Sequence, residues 1–160
     1  MAIYVDYEGI KGNVTAKDYE DFMDVMSFDF GVSRAVTMEA GNMSNREATR
    51  PALSEITLVK QADNSANALF KESVTGAAGK KVIIHLVQTG AEQVQEFMNY
   101  ELENVIVSGY SISANSDGDP IETITLSYSG ILLTYVDCGA DNAFGSSMKC
   151  GYNLITATPQ

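Results

Sequence analysis

The chain is 160 residues long, 45% hydrophobic and 19% charged, a balance that makes one folded domain with a real core rather than a disordered segment. Ten basic against 21 acidic residues leave a net charge of −11, which removes backbone-driven nucleic-acid binding and attraction to anionic membranes, because both need clustered cations. No run approaches the ~18 apolar residues of a membrane span, and the opening Met1-Ala2-Ile3-Tyr4 lacks the basic head and apolar stretch of a secretory signal, so no conventional leader is expected.

Strand signals dominate along the chain. Ile3–Tyr7 is a short β-rich run, and residues 18–25 carry both helical and strand spacing. From Met26 to Ser33 the even positions Met26, Phe28, Phe30 and Val32 alternate with Ser27, Asp29, Gly31 and Ser33, which predicts a strand with one dry and one wet face. Thr37–Ala52 is a long polar loop holding Met38, Asn42, Met43, Arg46 and Arg50, and loops of that length in a compact domain are usually functional. Its methionines suit adaptable contacts with a partner. A strand is expected over Ile56–Val59.

Residues 65–76 are the exception to the β pattern. Ala66, Leu69, Phe70 and Val74 recur at helical spacing between candidate caps at Asp63, Asn64 and Ser65 and a stop at Gly76, so one short helix covers an end or face of a β structure. Strands follow at Val82–Val87 and along Met98, Tyr100, Leu102, Ile106, Tyr110 and Ile112, which share one parity and are expected on one face. A hairpin turn at Asn115–Pro120 leads to Ile124, Leu126 and Tyr128 facing away from Thr123, Thr125 and Ser127, and Ile131–Val136 closes the series. No repeat or linker interrupts residues 1–160, so the expectation is a single domain.

The candidate chemistry is sparse. His85 is the sole histidine and sits among Ile83, Ile84, Leu86 and Val87; with no nucleophile or triad signature beside it, it reads as a structural strand histidine. One histidine with Cys138 and Cys150 supplies too few nitrogen and sulfur ligands for a structural zinc site, and Asn115, Asp117 and Asp119 miss the spacing of a calcium loop. Glu101 and Glu103 on one strand face read as solvated carboxylates. No catalytic, cofactor or metal residue is assigned. The amphipathic strands leave two non-enzymatic readings open: a ligand-binding barrel, or a subunit whose edges and loops pair with copies of itself.

The segments YVDYEGIKGNVT, SFDFGV, SEITLVKQADNSANALFKESVTG, KKVIIHLVQTG, YELENVIVSGYS, IETITLSYSGILLTY and GYNL occur in an order that resembles the haemolysin co-regulated protein family, the tube subunits of bacterial type VI secretion systems, from Ile3 to Leu154. The resemblance implies a mainly β fold: a small β-barrel of two packed antiparallel or mixed sheets, a short flanking helix and a long extended loop. It also implies a non-enzymatic subunit of six-membered rings that stack into a tube with a phage tail-tube-like fold. Such a tube works with a spike protein at its tip, a contractile sheath around it and small effector proteins in its lumen, and it moves from cytoplasm to exterior through the machine. Carried onto this chain, the resemblance turns the wet face of Ser27, Asp29 and Ser33 toward the channel, with Asp29 as a cargo contact. It makes Met38, Asn42, Met43, Arg46 and Arg50 the inter-subunit or inter-ring loop, and it packs Leu69 and Phe70 inward from the helix.

The chain departs from the family pattern at Ser129–Tyr135, which is less polar than usual, and over residues 138–150, where a Cys138–Cys150 bridge is one expectation. Six copies, each at −11, repel one another, so stacking is expected to be weak alone and to strengthen with salt. The alternative function is a monomeric β-barrel that binds a small ligand.

Overall fold

The computed structural model describes residues 1–37, 40–41, 47–89, 94–138 and 144–160. In chain order the strands begin with β1 (Ala2–Tyr7), β2 (Met23–Val25), β3 (Ser27–Asp29), β4 (Val32–Ser33), β5 (Val36–Thr37), β6 (Glu47–Ala48), β7 (Ala52–Leu53) and β8 (Ile56–Gln61). The helix α1 (Ala66–Thr75) follows, then β9 (Lys80–Thr89), β10 (Val94–Ser113), β11 (Ile121–Ser127), β12 (Gly130–Cys138), β13 (Phe144–Asn153) and β14 (Thr158–Pro159).

These strands make two sheets and an arm. The larger sheet runs β2-β1-β9-β10-β12-β13-β14 and the smaller runs β3-β8-β11-β10, with antiparallel pairing at every described ladder. Twenty-residue β10 belongs to both: its first half pairs with β9 and β12, its second with β11. On the other side the chain passes from β2 in the larger sheet through Met26 into β3 in the smaller. The expected barrel is therefore a two-sheet sandwich joined along both sides. The arm is a hairpin in which β4 pairs with β7 and β5 with β6.

The core lies between the sheets and includes Val5, Met23, Ile56, Leu58, Ile84, Leu102, Val107, Ile124 and Leu126. The parity expected for β11 holds, with Ile124 and Leu126 inside and Tyr128 buried, its hydroxyl donating to the Ser54 carbonyl at 2.7 Å. In β10 the parity breaks. A bulge between Leu102 and Val105, with Asn104 at φ 51°, flips the pleat, so Val105 and Val107 are buried and Ile106 is turned out. A second irregularity between Val107 and Gly109 returns Tyr110 toward the core, while Ile112 beyond it stays exposed. The expected single face from Met98 to Ile112 is corrected on this ground: an extra residue reverses a period of two.

Two further expectations change. Met26 is 60% exposed, because the chain crosses there from one sheet to the other and cannot keep one dry face. On α1 only Leu69 is fully buried; Phe70 is 59% exposed and meets Tyr110 edge-on at 6.3 Å, and Val74 also faces out. Helical spacing placed these residues on one stripe, but a helix touching a sheet at its corner buries only the middle of that stripe. Residues 18–25 resolve into turns, with Asp18 and Asp21 at positive φ, followed by β2. Gly12 makes this possible: its N–H donates to Asp21 at 2.7 Å, and a Cβ there would meet the Phe22 carbonyl at 2.2 Å.

One corner of the core is polar. Lys60 on β8 and Glu122 on β11 sit opposite each other in register and are both fully buried. The Lys60 ammonium donates to Glu122 Oε2 at 2.7 Å, to Asp63 Oδ1 at 2.8 Å and to the Gln61 carbonyl at 2.8 Å, which uses all three of its protons. The Tyr110 hydroxyl donates to the other Glu122 oxygen. Asp63 also accepts the Ser65 N–H at 2.9 Å and the Ser65 hydroxyl, so Asp63, rather than Ser65, organises the start of α1. Burial pushes the Asp63 carboxyl up, but the bonds from Lys60 and Ser65 outweigh it and hold the group below its ordinary value.

Lys60→Met strands two carboxylates in this corner and is expected to cost about 3–5 kcal/mol in urea unfolding. Adding Glu122→Gln, which keeps an acceptor for Tyr110, should recover part of that loss. Alkali tests a second set of groups. Burial pushes Tyr7 to about 12, with the Glu72 charge adding to it, and pushes Tyr128 to about 12; burial and then the bond to Glu122 do the same for Tyr110. All three are raised above their unfolded value of 10.0, so their contribution is complete below pH 10 and lost as pH rises through about 12. Unfolding midpoints should hold steady up to pH 10 and fall steeply above it.

Candidate functional site

Three surfaces remain once the core is assigned, and the first is the outer face of the smaller sheet. Register places Ser27 beside Val59 and Thr123, and Asp29 beside Thr57 and Thr125. Ser108, in the bulge of β10, donates to Glu55 Oε2 at 3.0 Å and lies 3.1 Å from the Thr125 hydroxyl. The centre of the face is thus mostly hydroxylated, with Asp29 and Glu55 as its charges and Ile106 and Ile121 at its ends. Of the residues read from the sequence as one wet face, the structure brings Ser27 and Asp29 together. Ser33 sits instead on the β4–β7 ribbon, paired with Ala52.

The second surface is the arm. What read as a loop from Thr37 is a hairpin rooted earlier, where Gly31 and Ser54 exchange bonds of 2.9 and 2.8 Å and Ala35 and Thr49 bond backbone to backbone at 3.0 Å. Arg50 is exposed on it; Met38, Asn42, Met43 and Arg46 lie outside the described residues. A signal missed in the composition is that all three arginines of the chain, Arg34, Arg46 and Arg50, fall between positions 34 and 50 of an otherwise acidic sequence, and Arg34 and Arg50 stand on the described part of the arm.

The third surface has no counterpart in the sequence reading. One rung of the larger sheet runs Val25–Ile3–Leu86–Met98–Tyr135–Met148 across six strands, every member apolar and facing the inner side. Exposure climbs along it from 4% at Val25 and 8% at Ile3 to 37% at Tyr135 and 61% at Met148, because the smaller sheet stops short and leaves this stretch of β12 and β13 uncovered. Beside it, Phe30, Val32, Leu53, Leu133, Cys150 and Tyr152 line an open apolar cleft of about 300 Å³ between the root of the arm and the sheet. Cys150 is a free thiol. Cys138 pairs with Phe144 and Cys150 with Leu133, which separates the two cysteines by about 20 Å of strand, so the expected bridge is ruled out.

His85 is held as a clasp. Its ring stacks on Phe22 at 5.4 Å and meets Tyr19 edge-on at 5.5 Å, while Nδ1 bonds Glu96, which also accepts from Asn99. Burial raises the Glu96 carboxyl, but the bonds from His85 and Asn99 and the His85 charge win and keep it below the ordinary value. The sequence offered no carboxylate partner for His85 because Glu96 lies on the neighbouring strand. With rings packed over it, the pair fastens the 11–22 segment to the sheet. Among the described residues, no group of three or more His, Cys, Asp or Glu could hold a metal, and no helix is long and apolar enough to cross a membrane.

A family model for the type VI secretion system effector Hcp matches residues 4–135. Among solved structures, a type six secretion system protein superposes with a TM-score of 0.92 at 22% identity over 99% of both chains. Hcp1 from Salmonella typhimurium gives 0.79 at 19% identity over 99% of this chain and 98% of its own. A chain of the anti-feeding prophage baseplate gives 0.51 at 12% identity over 82% and 90%. No curated protein matches significantly. At these identities the superpositions establish the fold.

His85→Ala should lower stability by about 2–3 kcal/mol and speed hydrogen exchange across residues 12–22, with assembly unchanged. A loss of assembly with stability intact would give His85 a different role.

Proposed function

Because this chain belongs to the Hcp family of the type VI secretion system, we propose that it is the repeating subunit of a secretion tube, a structural rather than catalytic protein. Six copies close into a ring around a channel, rings stack, and the channel carries small effector proteins outward through the machine, with a spike protein at the tip and a contractile sheath outside. The observation that carries this reading beyond the family match is the apolar rung that ends at Tyr135 and Met148. A monomer with this stretch of β12 and β13 left open exposes Tyr135 and Met148 side by side, the mark of a protein–protein surface. A neighbour that covers this face with a different face of its own makes a heterologous contact, and such contacts generate rings.

The other two surfaces fit the same object. The face around Asp29 is mostly hydroxylated at its centre, with Val59 as its central apolar side chain and Ile106 and Ile121 at its ends, which suits a wall facing a water-filled channel. The described part of the arm carries Arg34 and Arg50, and a guanidinium fork pairs well with carboxylates on an acidic neighbour. The apolar cleft would also suit a small apolar ligand in a free monomer, and oligomeric state separates the two readings.

Native mass and negative-stain images of the purified protein should show six-copy rings. Met148→Lys places a charge on the covered face and should yield monomers with an unchanged unfolding midpoint; a wild-type chain that stays monomeric at tens of micromolar would overturn the proposal. Because net repulsion opposes the approach of rings, stacks should lengthen in sedimentation as salt rises from about 50 to 500 mM.

A further inference from the structure

The outer face of the smaller sheet has a chemical bias that narrows what it can hold. Hydroxyl side chains prevail at its centre, where Ser27, Thr57, Thr123 and Thr125 surround Val59 by register, and Ile106 and Ile121 stand at its two ends. Its charges are Asp29, exposed on β3, and Glu55, which reaches Ser108 across the sheet. Lys60, the cation carried by β8, points to the opposite side and is consumed in the buried corner. Among the described residues of this face there is therefore negative charge without a compensating cation. Its hydroxyls hydrogen-bond without demanding a particular partner.

We infer that the face selects small folded proteins with a basic surface. The inference rests on the tube reading, in which this face lines the channel, and adds the class of cargo to it. Six copies around a channel would present the same two carboxylates on all sides of an enclosed protein. Each exposed ion pair is weak, and screening weakens it further, but repeated contacts on one cargo add. Retention of that kind favours basic over acidic proteins of equal size and stays reversible, because exposed, screened ion pairs are individually weak. A hydrophobic channel wall would hold cargo without regard to charge and release it slowly.

The test uses two probes of similar size and fold but opposite charge, lysozyme (basic) and α-lactalbumin (acidic), passed over the immobilised full chain whose rings have been verified by imaging. At about 50 mM salt lysozyme should be retained about tenfold more strongly, and the difference should collapse near 500 mM. Asp29→Asn with Glu55→Gln should cut lysozyme retention at least about threefold. Glu20→Gln with Asp24→Asn, two exposed carboxylates lost from elsewhere on the molecule, should leave it in place. Equal retention of both probes overturns the inference. So does a loss of retention that is the same for both double variants, since that would trace it to overall charge rather than to this face. Absence of rings overturns the tube reading instead, and the comparison of probes and variants on the same immobilised chain still decides the preference of the face.

Discussion

Two sheets of unequal width share one strand, and most of this protein follows from that mismatch. β10 is long enough to serve both, so the sheets are held at a fixed angle and pack face to face only where both exist. Near β1, β2 and β9 the smaller sheet supplies a full cover, and Val5, Met23 and Ile84 are sealed. Beyond β10 the larger sheet continues through β12, β13 and β14 with the same inward apolar pattern; Ile131 is still buried in the core, but toward Tyr135 and Met148 the smaller sheet no longer covers the face. A sheet face of this kind is stable in water when a neighbour supplies the missing layer. The tertiary structure of one copy thus leaves an apolar edge open, which on the proposed reading a second copy covers.

The buried corner around Lys60 shows how the smaller sheet is kept in register while it does this. β8 and β11 pair through alternating apolar residues that would tolerate a slip along the strand. Lys60 opposite Glu122 does not, because a shift would leave both charges in the core unpaired. The same ammonium draws in Asp63 and, through it, Ser65 and the first turn of α1. One ion pair therefore aligns two strands and seats the helix. It lies directly behind the hydroxylated face, so the positions of Thr57, Thr123 and Thr125 relative to Asp29 rest on it.

Legibility in the sequence followed how local each signal was. β1, β8 and β11 were readable because their alternation is unbroken and one side of each is fully buried. α1 was readable in extent, from the spacing of Ala66, Leu69, Phe70 and Val74 and the stop at Gly76, but not in orientation, since which part of the stripe is covered depends on the sheet beneath it. β13 escaped notice because Phe144–Asn153 holds no β-branched residue and two glycines, and it is a strand only because β12 offers it a ladder. The bulges of β10 were hidden for a similar reason: an inserted residue looks like any other until a partner strand shows which rung it skips.

Function divided the same way. Composition and the ordered segments from Ile3 to Leu154 were sufficient for the family, the mainly β class and the wet pair Ser27 and Asp29, because residue identity and parity are written along the chain. They also held the confinement of every arginine to residues 34–50, although nothing in one dimension says that β4 and β5 pair back on β7 and β6 as a hairpin. The pairing of His85 with Glu96, the burial of Lys60 and Glu122, the separation of Cys138 from Cys150 and the open rung ending at Met148 were decided in three dimensions. Each depends on which residues face each other across strands distant in sequence, and on how far one sheet extends past the other.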